Sequence, residues 1–333
     1  MAEKTKELPA VLGIGNALVD VMIATENDTI IEKFGLLKGS MTLVDANLSA
    51  QIYKAVSELK TEVATGGSAA NTIHALASLG GSCGYLGKIK DDDLGNSFKT
   101  EFEEKSIKTH LYFSEKSTGR VMAMVSPDSE RTMATYLGAA ADLNPTDINE
   151  EDFKAYKILY IEGYLVQDHN LIEEAIVTAK NLGLQIAIDL SSFNIVEQNL
   201  DFLKRIISEY VDIVFANEEE ALAYTGKKPD EALIEIARQS EIAIVKTGKT
   251  GSLIKQGDKV VTVAPVSAKA VDTTGAGDSY AAGFLYGYTK GYNLEVCGKI
   301  ASLVSAKMVE VMGAKLPEEA WPGIHKTIQE MVD

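Results

Sequence analysis

The sequence predicts an α/β fold in which helices cover a mainly parallel β-sheet. Short β-branched or apolar runs alternate with longer amphipathic stretches along the chain, which is typical of a sheet layered with helices. Several runs are apolar throughout, as expected of strands buried on both faces. Between two runs, apolar residues recur at helical spacing from Ile172 to Ala179, before a helix-ending Gly183. The predicted strands are 11–15, 83–86, 158–161, 185–190, 213–216 and 242–246.

Two segments, 19–44 and 111–136, interrupt this alternation. In the second, the runs 121–125 and 131–136 flank three turn-forming residues, Pro127, Asp128 and Ser129, which predicts a β-hairpin. Small strands inserted in a helix-covered sheet have no place in its layers. We therefore expect one domain over 1–333, with a small β-lid formed by about 17–44 and 111–137.

Composition restricts the partners and the compartment. Of 333 residues, 46% are apolar and 24% are charged, as in a globular protein, and acidic residues outnumber basic ones by 48 to 32. The formal net charge of −16 repels nucleic acid and anionic membranes, so neither is expected as a partner. The two cysteines, Cys83 and Cys297, lack metal-ligand spacing, and the first residues are polar. We expect a cytoplasmic protein.

The strongest local motif is the segment 272–278, with the sequence DTTGAGD, followed by a helical stretch. Gly275 and Gly277 leave backbone N–H groups uncovered at a helix start, where the helix dipole also favours an anion. Asp278 beside such a site has two interpretations: it either stabilises the first helical turn or accepts a proton from an attacking hydroxyl. Sequence alone leaves both open.

Two further motifs are weaker. Gly66 and Gly67 open a helix that carries Asn71 one turn inside, which suits either close approach of a ligand or an ordinary tight turn. Asn217 and Glu220 share one face of a helix start and could hold hydrated Mg²⁺, although acidic residues also commonly complement the helix dipole there.

Two common nucleotide-binding motifs are absent. The first strand ends in GIGN at 13–16, but Leu18 stands where a dinucleotide fingerprint needs its third glycine, and Asp20 comes too early to be its ribose-binding acid. No G-x-x-x-x-G-K-[ST] loop occurs. These observations disfavour an NAD-dependent oxidoreductase and a P-loop enzyme.

Taken in order, the three motifs resemble the ribokinase-like (PfkB) carbohydrate kinase family, over about 13–313. The resemblance implies a three-layer α/β/α sandwich with a mostly parallel sheet and a small β-lid, and an ATP- and Mg²⁺-dependent kinase acting on a small-molecule acceptor. The residues it matches are Gly275, Ala276 and Gly277 for the anion hole, Asp278 for the catalytic base, Gly67, Ser68 and Asn71 for the acceptor, Asn217 and Glu220 for Mg²⁺ and the ATP phosphates, and Thr247, Gly248 and Gly251 for the nucleotide loop.

Within that family, several stretches resemble adenosine kinases more than ribokinases. Residues 15–20 resemble their opening motif, with Ala17 in place of the usual proline, which implies that Asn16 and Asp20 bind the acceptor's ribose. Tyr164 and Phe193 match positions that stack on the base, and core or lid packing is the alternative for both aromatic residues.

The implied reaction is phosphorylation of a primary hydroxyl of a ribonucleoside, adenosine to AMP. Thr274 instead resembles the sugar kinases, which keeps a ribokinase-type or fructokinase-type sugar kinase as the alternative. Arg131 on the hairpin is either a cation that reaches the phosphates when the lid closes or an ordinary surface arginine. The resemblance further allows a monovalent cation such as K⁺ as cofactor, and either a monomer or a lid-mediated homodimer.

Overall fold

A computed structural model describes residues 10–56, 59, 61–126 and 131–332. The described part contains two β-sheets flanked by helices. The strands, numbered in chain order, are β1 (Val11–Ile14), β2 (Leu18–Ala24), β3 (Met41–Leu43), β4 (Thr61–Gly66), β5 (Cys83–Ile89), β6 (Lys108–Phe113), β7 (Gly119–Val125), β8 (Arg131–Tyr136), β9 (Ile158–Glu162), β10 (Gln185–Asp189), β11 (Ile213–Asn217), β12 (Ile242–Lys246), β13 (Ser252–Gln256) and β14 (Lys259–Val263).

The α-helices lie mostly between these strands, as the alternating pattern predicts. They are α1 (Thr29–Lys33), α2 (Ala46–Val56), α3 (Ser68–Ser78), α4 (Asp93–Glu104), α5 (Glu150–Phe153), α6 (His169–Asn181), α7 (Phe193–Gln198), α8 (Leu200–Glu209), α9 (Glu218–Thr225), α10 (Pro229–Ile236), α11 (Ala276–Thr289), α12 (Leu294–Met308) and α13 (Trp321–Val332). None of the helices in the described ranges has the length and apolar character needed to cross a membrane.

The larger sheet has nine strands in the order β14-β13-β12-β11-β10-β9-β1-β5-β6. Seven neighbouring strands run parallel to one another, namely β12, β11, β10, β9, β1, β5 and β6. β13 and β14 continue the sheet beyond β12 as antiparallel strands. All six predicted strands are present in this sheet, within one residue at each end except β5, which continues to Ile89. The predicted mostly parallel sheet is confirmed.

Both faces of this sheet are buried. On β9, Ile158 and Tyr160 belong to a core shared with α3, α11 and α12, whereas Leu159 and Ile161 belong to a second core shared with α6 and α8. Successive residues of a strand point to opposite faces, so an uninterrupted apolar run fills two cores at once. The three-layer α/β/α architecture predicted from the family resemblance is confirmed.

The smaller sheet has the strand order β3-β8-β7-β2-β4. β7 and β8 form the predicted antiparallel hairpin, and its turn residues Pro127, Asp128 and Ser129 lie outside the described residues. Helices α1 and α2 cover one face of the sheet through a third, small core.

The boundaries of this sheet differ from the predicted lid segments in two ways. β4 pairs with β2 along its whole length, although it lies outside both segments. Residues 111–113 belong to β6 of the larger sheet instead. Backbone pairing decides both differences, because β4 and β6 are edge strands that pair with β2 and β5, respectively. The assignment of 1–333 to one domain stays a prediction.

The close packing of α11 on α12 yields a stability test. A Cβ atom on Gly283 of α11 would lie 2.7 Å from Cα of Ala301 and 3.0 Å from its backbone nitrogen. Backbone cannot give way as a flexible side chain does, so Gly283→Ala should lower the free energy of unfolding by about 1–3 kcal/mol in urea denaturation.

Gly323→Ala in α13 is the matched control. It places the same methyl group at an exposed helical position with no atom within 4 Å, and the variant should match or slightly exceed the wild type in stability. Equal stability of the two variants would contradict the tight packing of the α11–α12 contact.

Candidate active site

Four adjacent parallel strands end in polar residues at the same edge of the larger sheet. β9 ends at Glu162, β10 at Asp189, β11 at Asn217 and β12 at Lys246. Glu162 and Asp189 are register partners, as are Asn217 and Lys246. Ligands of open α/β sheets bind outside the carboxyl ends of the strands, so these side chains define the floor of the candidate site.

Asp278 lies in the first turn of α11 and joins this helix to α3. Its Oδ1 accepts a hydrogen bond from Oγ of Ser68 at 2.7 Å, and its Oδ2 accepts one from Nδ2 of Asn71 at 3.0 Å. Both of these hydrogen bonds come from α3 rather than from the helix that carries Asp278. Burial raises the pKa of Asp278 to about 6, although the two hydrogen bonds oppose this shift.

The anion-hole segment has unpaired backbone donors. Gly275 adopts a left-handed conformation with φ of 72° at the N-cap of α11. The amide of Ala276 donates to the carbonyl of Thr273, whereas the amides of Gly275, Gly277 and Asp278 make no backbone hydrogen bond in the described part of the chain. Three N–H groups at a helix start are therefore available to an anion. The family resemblance implies an anion hole at Gly275, Ala276 and Gly277. In the structure, the amide of Ala276 is paired, and the third unpaired amide is that of Asp278.

Glu162 joins the first strand to the start of α3 from a buried position. Its Oε1 accepts hydrogen bonds from the backbone N and Nδ2 of Asn16, at 2.9 and 2.5 Å, and its Oε2 accepts one from the amide of Ala69 at 2.8 Å. It thereby caps α3, whose own N-cap residue Gly67 has no side chain. Burial raises the pKa of Glu162 to about 7 despite these donors.

Gly67 is required by this arrangement. Its φ is 100°, and a Cβ atom there would lie 2.1 Å from the carbonyl oxygen of Asn16. On α3, Oδ1 of Asn71 is buried and has no hydrogen-bond partner among the described residues. Buried acceptors nearly always have a hydrogen-bond partner. A donor group of a bound ligand would supply the partner that this atom lacks.

Lys246 and Asp189 form a buried ion pair of 2.8 Å between Nζ and Oδ2. Burial opposes the charge of the lysine, but Asp189 and Glu220 outweigh it and raise the pKa of Lys246. Sequence reasoning did not assign Glu162, Asp189 or Lys246 to the site. The available signal was the charged residue that ends each of three otherwise apolar strands.

Asn217 and Glu220 form a reciprocal capping box at the start of α9. Oδ1 of Asn217 accepts from the amide of Glu220, while the backbone N and Nδ2 of Asn217 donate to the two carboxylate oxygens of Glu220. Burial raises the pKa of Glu220 to about 7. Each carboxylate oxygen retains a lone pair, so this pair fits a hydrated Mg²⁺ held through water rather than a directly coordinated ion.

The predicted nucleotide loop joins β12 to β13 at the same edge of the sheet. Gly248 and Gly251 both have positive φ, of 52° and 107°. The amide of Thr247 donates to the carbonyl of Gly251 at 2.9 Å, which closes the loop. A Cβ atom on Gly251 would lie 2.0 Å from a backbone oxygen, so this turn requires glycine.

Arg131 links the smaller sheet to the loop that precedes α11. Its Nη1 donates to Oδ2 of Asp272 and to Oγ1 of Thr274, both at 2.8 Å, and the side chain is mostly buried. Although burial opposes ionisation of Asp272, donors that include its own loop and Arg131 lower the pKa of this carboxyl group. Arg131 is therefore not a surface arginine, and it reaches the segment next to the anion hole.

Asp20 on β2 lies near the same cation. Burial raises its pKa to about 6, while Arg131 and Lys315 oppose the shift. Gly66 makes room for it, since a Cβ atom at Gly66 would lie 2.5 Å from Oδ1 of Asp20. A carboxylate in this position is suited to accept hydrogen bonds from sugar hydroxyls.

Tyr164 and Phe193 are 38% and 40% exposed, so neither packs in a core. Tyr164 lies two residues after the end of β9, and its hydroxyl donates to the carbonyl of Ser191 at 3.3 Å. Burial, with the charges of Asp278 and Glu162, raises the pKa of the Tyr164 hydroxyl, which relates this ring to the candidate site. Each residue keeps more than a third of its surface exposed, which a ligand could cover.

Comparisons with known proteins identify the family. Residues 31–321 match the profile described as pfkB family carbohydrate kinase. The adenosine kinase structure from Sinorhizobium meliloti is 36% identical, with a TM-score of 0.83 over 97% of this chain and 99% of that one.

Two further relatives carry different names, one a sugar kinase and the other an adenosine kinase. A probable sugar kinase from Rhizobium etli CFN 42 is 32% identical, with a TM-score of 0.84 over 97% of this chain and 98% of that one. The adenosine kinase of Saccharomyces cerevisiae is 27% identical over 330 residues, which cover 92% of this chain and 96% of its own. With a family profile matched over most of its length, a ribokinase-like fold and these relatives, the chain is a phosphotransferase that belongs to the pfkB family of carbohydrate kinases.

Proposed function

We propose that this protein transfers the γ-phosphoryl group of Mg²⁺·ATP to a primary hydroxyl of a ribonucleoside, with adenosine as acceptor and AMP as product. The position of Asp278 carries the proposal. Its carboxylate is held by Ser68 and Asn71 next to three unpaired amides, and a base beside an anion hole is the arrangement that hydroxyl phosphorylation needs.

In the proposed step, the acceptor oxygen attacks the γ-phosphorus in line. The bond from that phosphorus to the bridging oxygen breaks, and its electron pair leaves on ADP. The hydroxyl proton passes to Asp278, while the amides of Gly275, Gly277 and Asp278 hold the transferring group. Since the transition state is loose and the proton leaves late, a carboxylate with a pKa of about 6 is a sufficient base.

The donor side is proposed from the opposite half of the sheet edge. Thr247, Gly248 and Gly251 would bind the nucleotide, and Asn217 and Glu220 would hold Mg²⁺ through water. Mg²⁺ neutralises phosphate charge when bound. Arg131 is proposed to assist at the phosphates, and a K⁺ ion remains a predicted cofactor.

The acceptor assignment depends on the exposed aromatic pair and on relatives of both kinds. Tyr164 and Phe193 offer stacking surface that a free sugar cannot use, and adenosine kinases are among the relatives with the highest coverage. The second candidate is a ribokinase-type or fructokinase-type sugar kinase, which Thr274 and the Rhizobium etli relative favour.

Assembly and location are part of the proposal. Met41 and Leu43 are exposed on β3, the free edge of the smaller sheet. A lid-mediated homodimer would cover them, whereas a monomer would leave them in solvent, and light scattering distinguishes the two. Both cysteines are free and buried, which suits the reducing cytoplasm we propose as the location.

Asp278→Asn should lower kcat by about a hundredfold or more, because the amide retains the shape but cannot accept the proton. In the wild type, the carboxylate is protonated below its pKa of about 6 and ionised above it. Activity should therefore fall as the pH drops through about 6, and the residual activity of the variant should lack this limb. The measurement is kcat from about pH 5 to about pH 8. Activity within a few-fold of wild type would contradict the base assignment.

Tyr164→Ala should lower kcat/KM for adenosine by about tenfold or more, since lost stacking and burial of about 1.4 kcal/mol amounts to one decade. Any turnover of ribose should change little. Tyr164→Phe is the control that retains the ring and loses only the hydroxyl contact with Ser191, and it should resemble the wild type.

Asp20→Ala should impair both acceptors, because ribose hydroxyls are common to them. The measurement is kcat/KM for adenosine and for ribose in the wild type, Tyr164→Ala, Tyr164→Phe and Asp20→Ala. A wild type that prefers ribose or fructose, or an equal loss for both acceptors in Tyr164→Ala, would favour the sugar kinase.

A further inference from the structure

Lys246 lies directly against the anion hole. A Cβ atom on Gly277 would lie 3.2 Å from Nζ of Lys246, and no other group from outside the helix comes within 4 Å of that position. Since the N–Cα and Cα–Cβ bonds are each about 1.5 Å long, Nζ lies within about 6 Å of the Gly277 amide nitrogen. One phosphoryl group can span this distance, with one oxygen on the amide and another on the ammonium.

The ammonium retains donors for such a ligand. Lys246 makes one hydrogen bond among the described residues, to Asp189, and an ammonium group has three N–H donors. Asp189 is itself fixed, because its other oxygen accepts from the amide of Ser191 at 2.9 Å. The ion pair therefore holds Nζ in place while two donors remain unused.

Several negative charges surround Lys246, so a phosphate bound there needs a nearby cation. Asp189, Glu220 and Asp278 all act electrostatically on Lys246, and ATP adds the charge of its phosphates. Arg131 and Lys315 also act on Asp20, and Arg131 is already engaged by Asp272 and Thr274 in the loop before α11. A phosphoryl group on the Gly277 amide would thus approach three carboxylates, and Lys246 is the basic residue of the described chain that adjoins them.

We propose that Lys246 is a catalytic residue whose ammonium contacts an oxygen of the transferring phosphoryl group, and that Asp189 positions it. The inference rests on the proposed role of the Asp278 site and adds a residue to it. Lys246 exchanges no proton in the step. It remains an ammonium while the acceptor–phosphorus bond forms, the bridging bond breaks and the hydroxyl proton moves to Asp278. Its charge stabilises the phosphoryl oxygens in the transition state.

The competing explanation is structural: Lys246 would only compensate the buried carboxylate of Asp189. Removing the lysine alone leaves that charge unpaired and destabilises the fold under either explanation. The double variant Lys246→Met/Asp189→Asn removes both charges, so it should regain stability. It should regain activity only if the role of Lys246 is structural.

The experiment measures kcat, KM and the melting temperature of Lys246→Met, Lys246→Arg and the double variant. We expect kcat to fall about a hundredfold in Lys246→Met, with the KM of the acceptor changed by less than about threefold. Lys246→Arg should recover part of kcat. The double variant should melt near the wild-type temperature and remain as slow as Lys246→Met.

A binding measurement gives a second readout. ADP with aluminium fluoride and the acceptor mimics the transferring group, and it should raise the melting temperature of the wild type beyond ADP and acceptor alone. Lys246→Met should lose this additional increase and keep the increase from ADP. The matched control is Lys180→Met, which breaks the ion pair with Asp212 at the other end of the sheet, and it should keep both kcat and the aluminium fluoride effect.

Near-wild-type kcat in Lys246→Met, or full recovery of kcat in the double variant, would overturn the role of Lys246. Asp278→Asn, measured in parallel, separates this failure from a failure of the site. If Asp278→Asn is impaired and Lys246→Met is not, only the lysine assignment is wrong. If neither is impaired, the proposed site is wrong as well.

Discussion

The contact between Asp278 and the start of α3 is the interaction on which the site depends. Two helices that are about 200 residues apart in sequence begin side by side, and Ser68 and Asn71 of one hold the carboxylate of the other. Glu162 fixes the start of α3 from the sheet, and the same carboxylate holds Asn16. Together these hydrogen bonds connect the Asp278 carboxylate to the start of α3, and the start of α3 to the sheet.

Burial gives this edge of the sheet its chemical character. Asp278, Glu162 and Glu220 all have pKa values raised by desolvation, which are tolerated because each carboxylate accepts hydrogen bonds from fixed donors. Lys246 supplies positive charge among them. In a chain with a net charge of −16, this edge of the sheet therefore combines carboxylates of raised pKa with the ammonium group of Lys246.

Most of the larger sheet could be predicted from the sequence because its strands are mainly apolar runs that alternate with amphipathic stretches. The helix start at 275–278 was predictable from its glycines. The partners of Asp278 were not derivable from residues alone, since long-range contacts leave no local pattern. Glu162 and Lys246 were missed because each resembles the polar end of a strand. β4 was missed because its six residues alternate too weakly to predict pairing with β2.

The decisive measurement is a crystal structure with adenosine and a non-hydrolysable ATP analogue. We expect the 5′-hydroxyl oxygen about 3 Å from a carboxylate oxygen of Asp278. We also expect the γ-phosphate on the amides of Gly275, Gly277 and Asp278, and the adenine ring against Tyr164. An acceptor bound away from Asp278, or a γ-phosphate that does not reach the start of α11, would contradict these expectations.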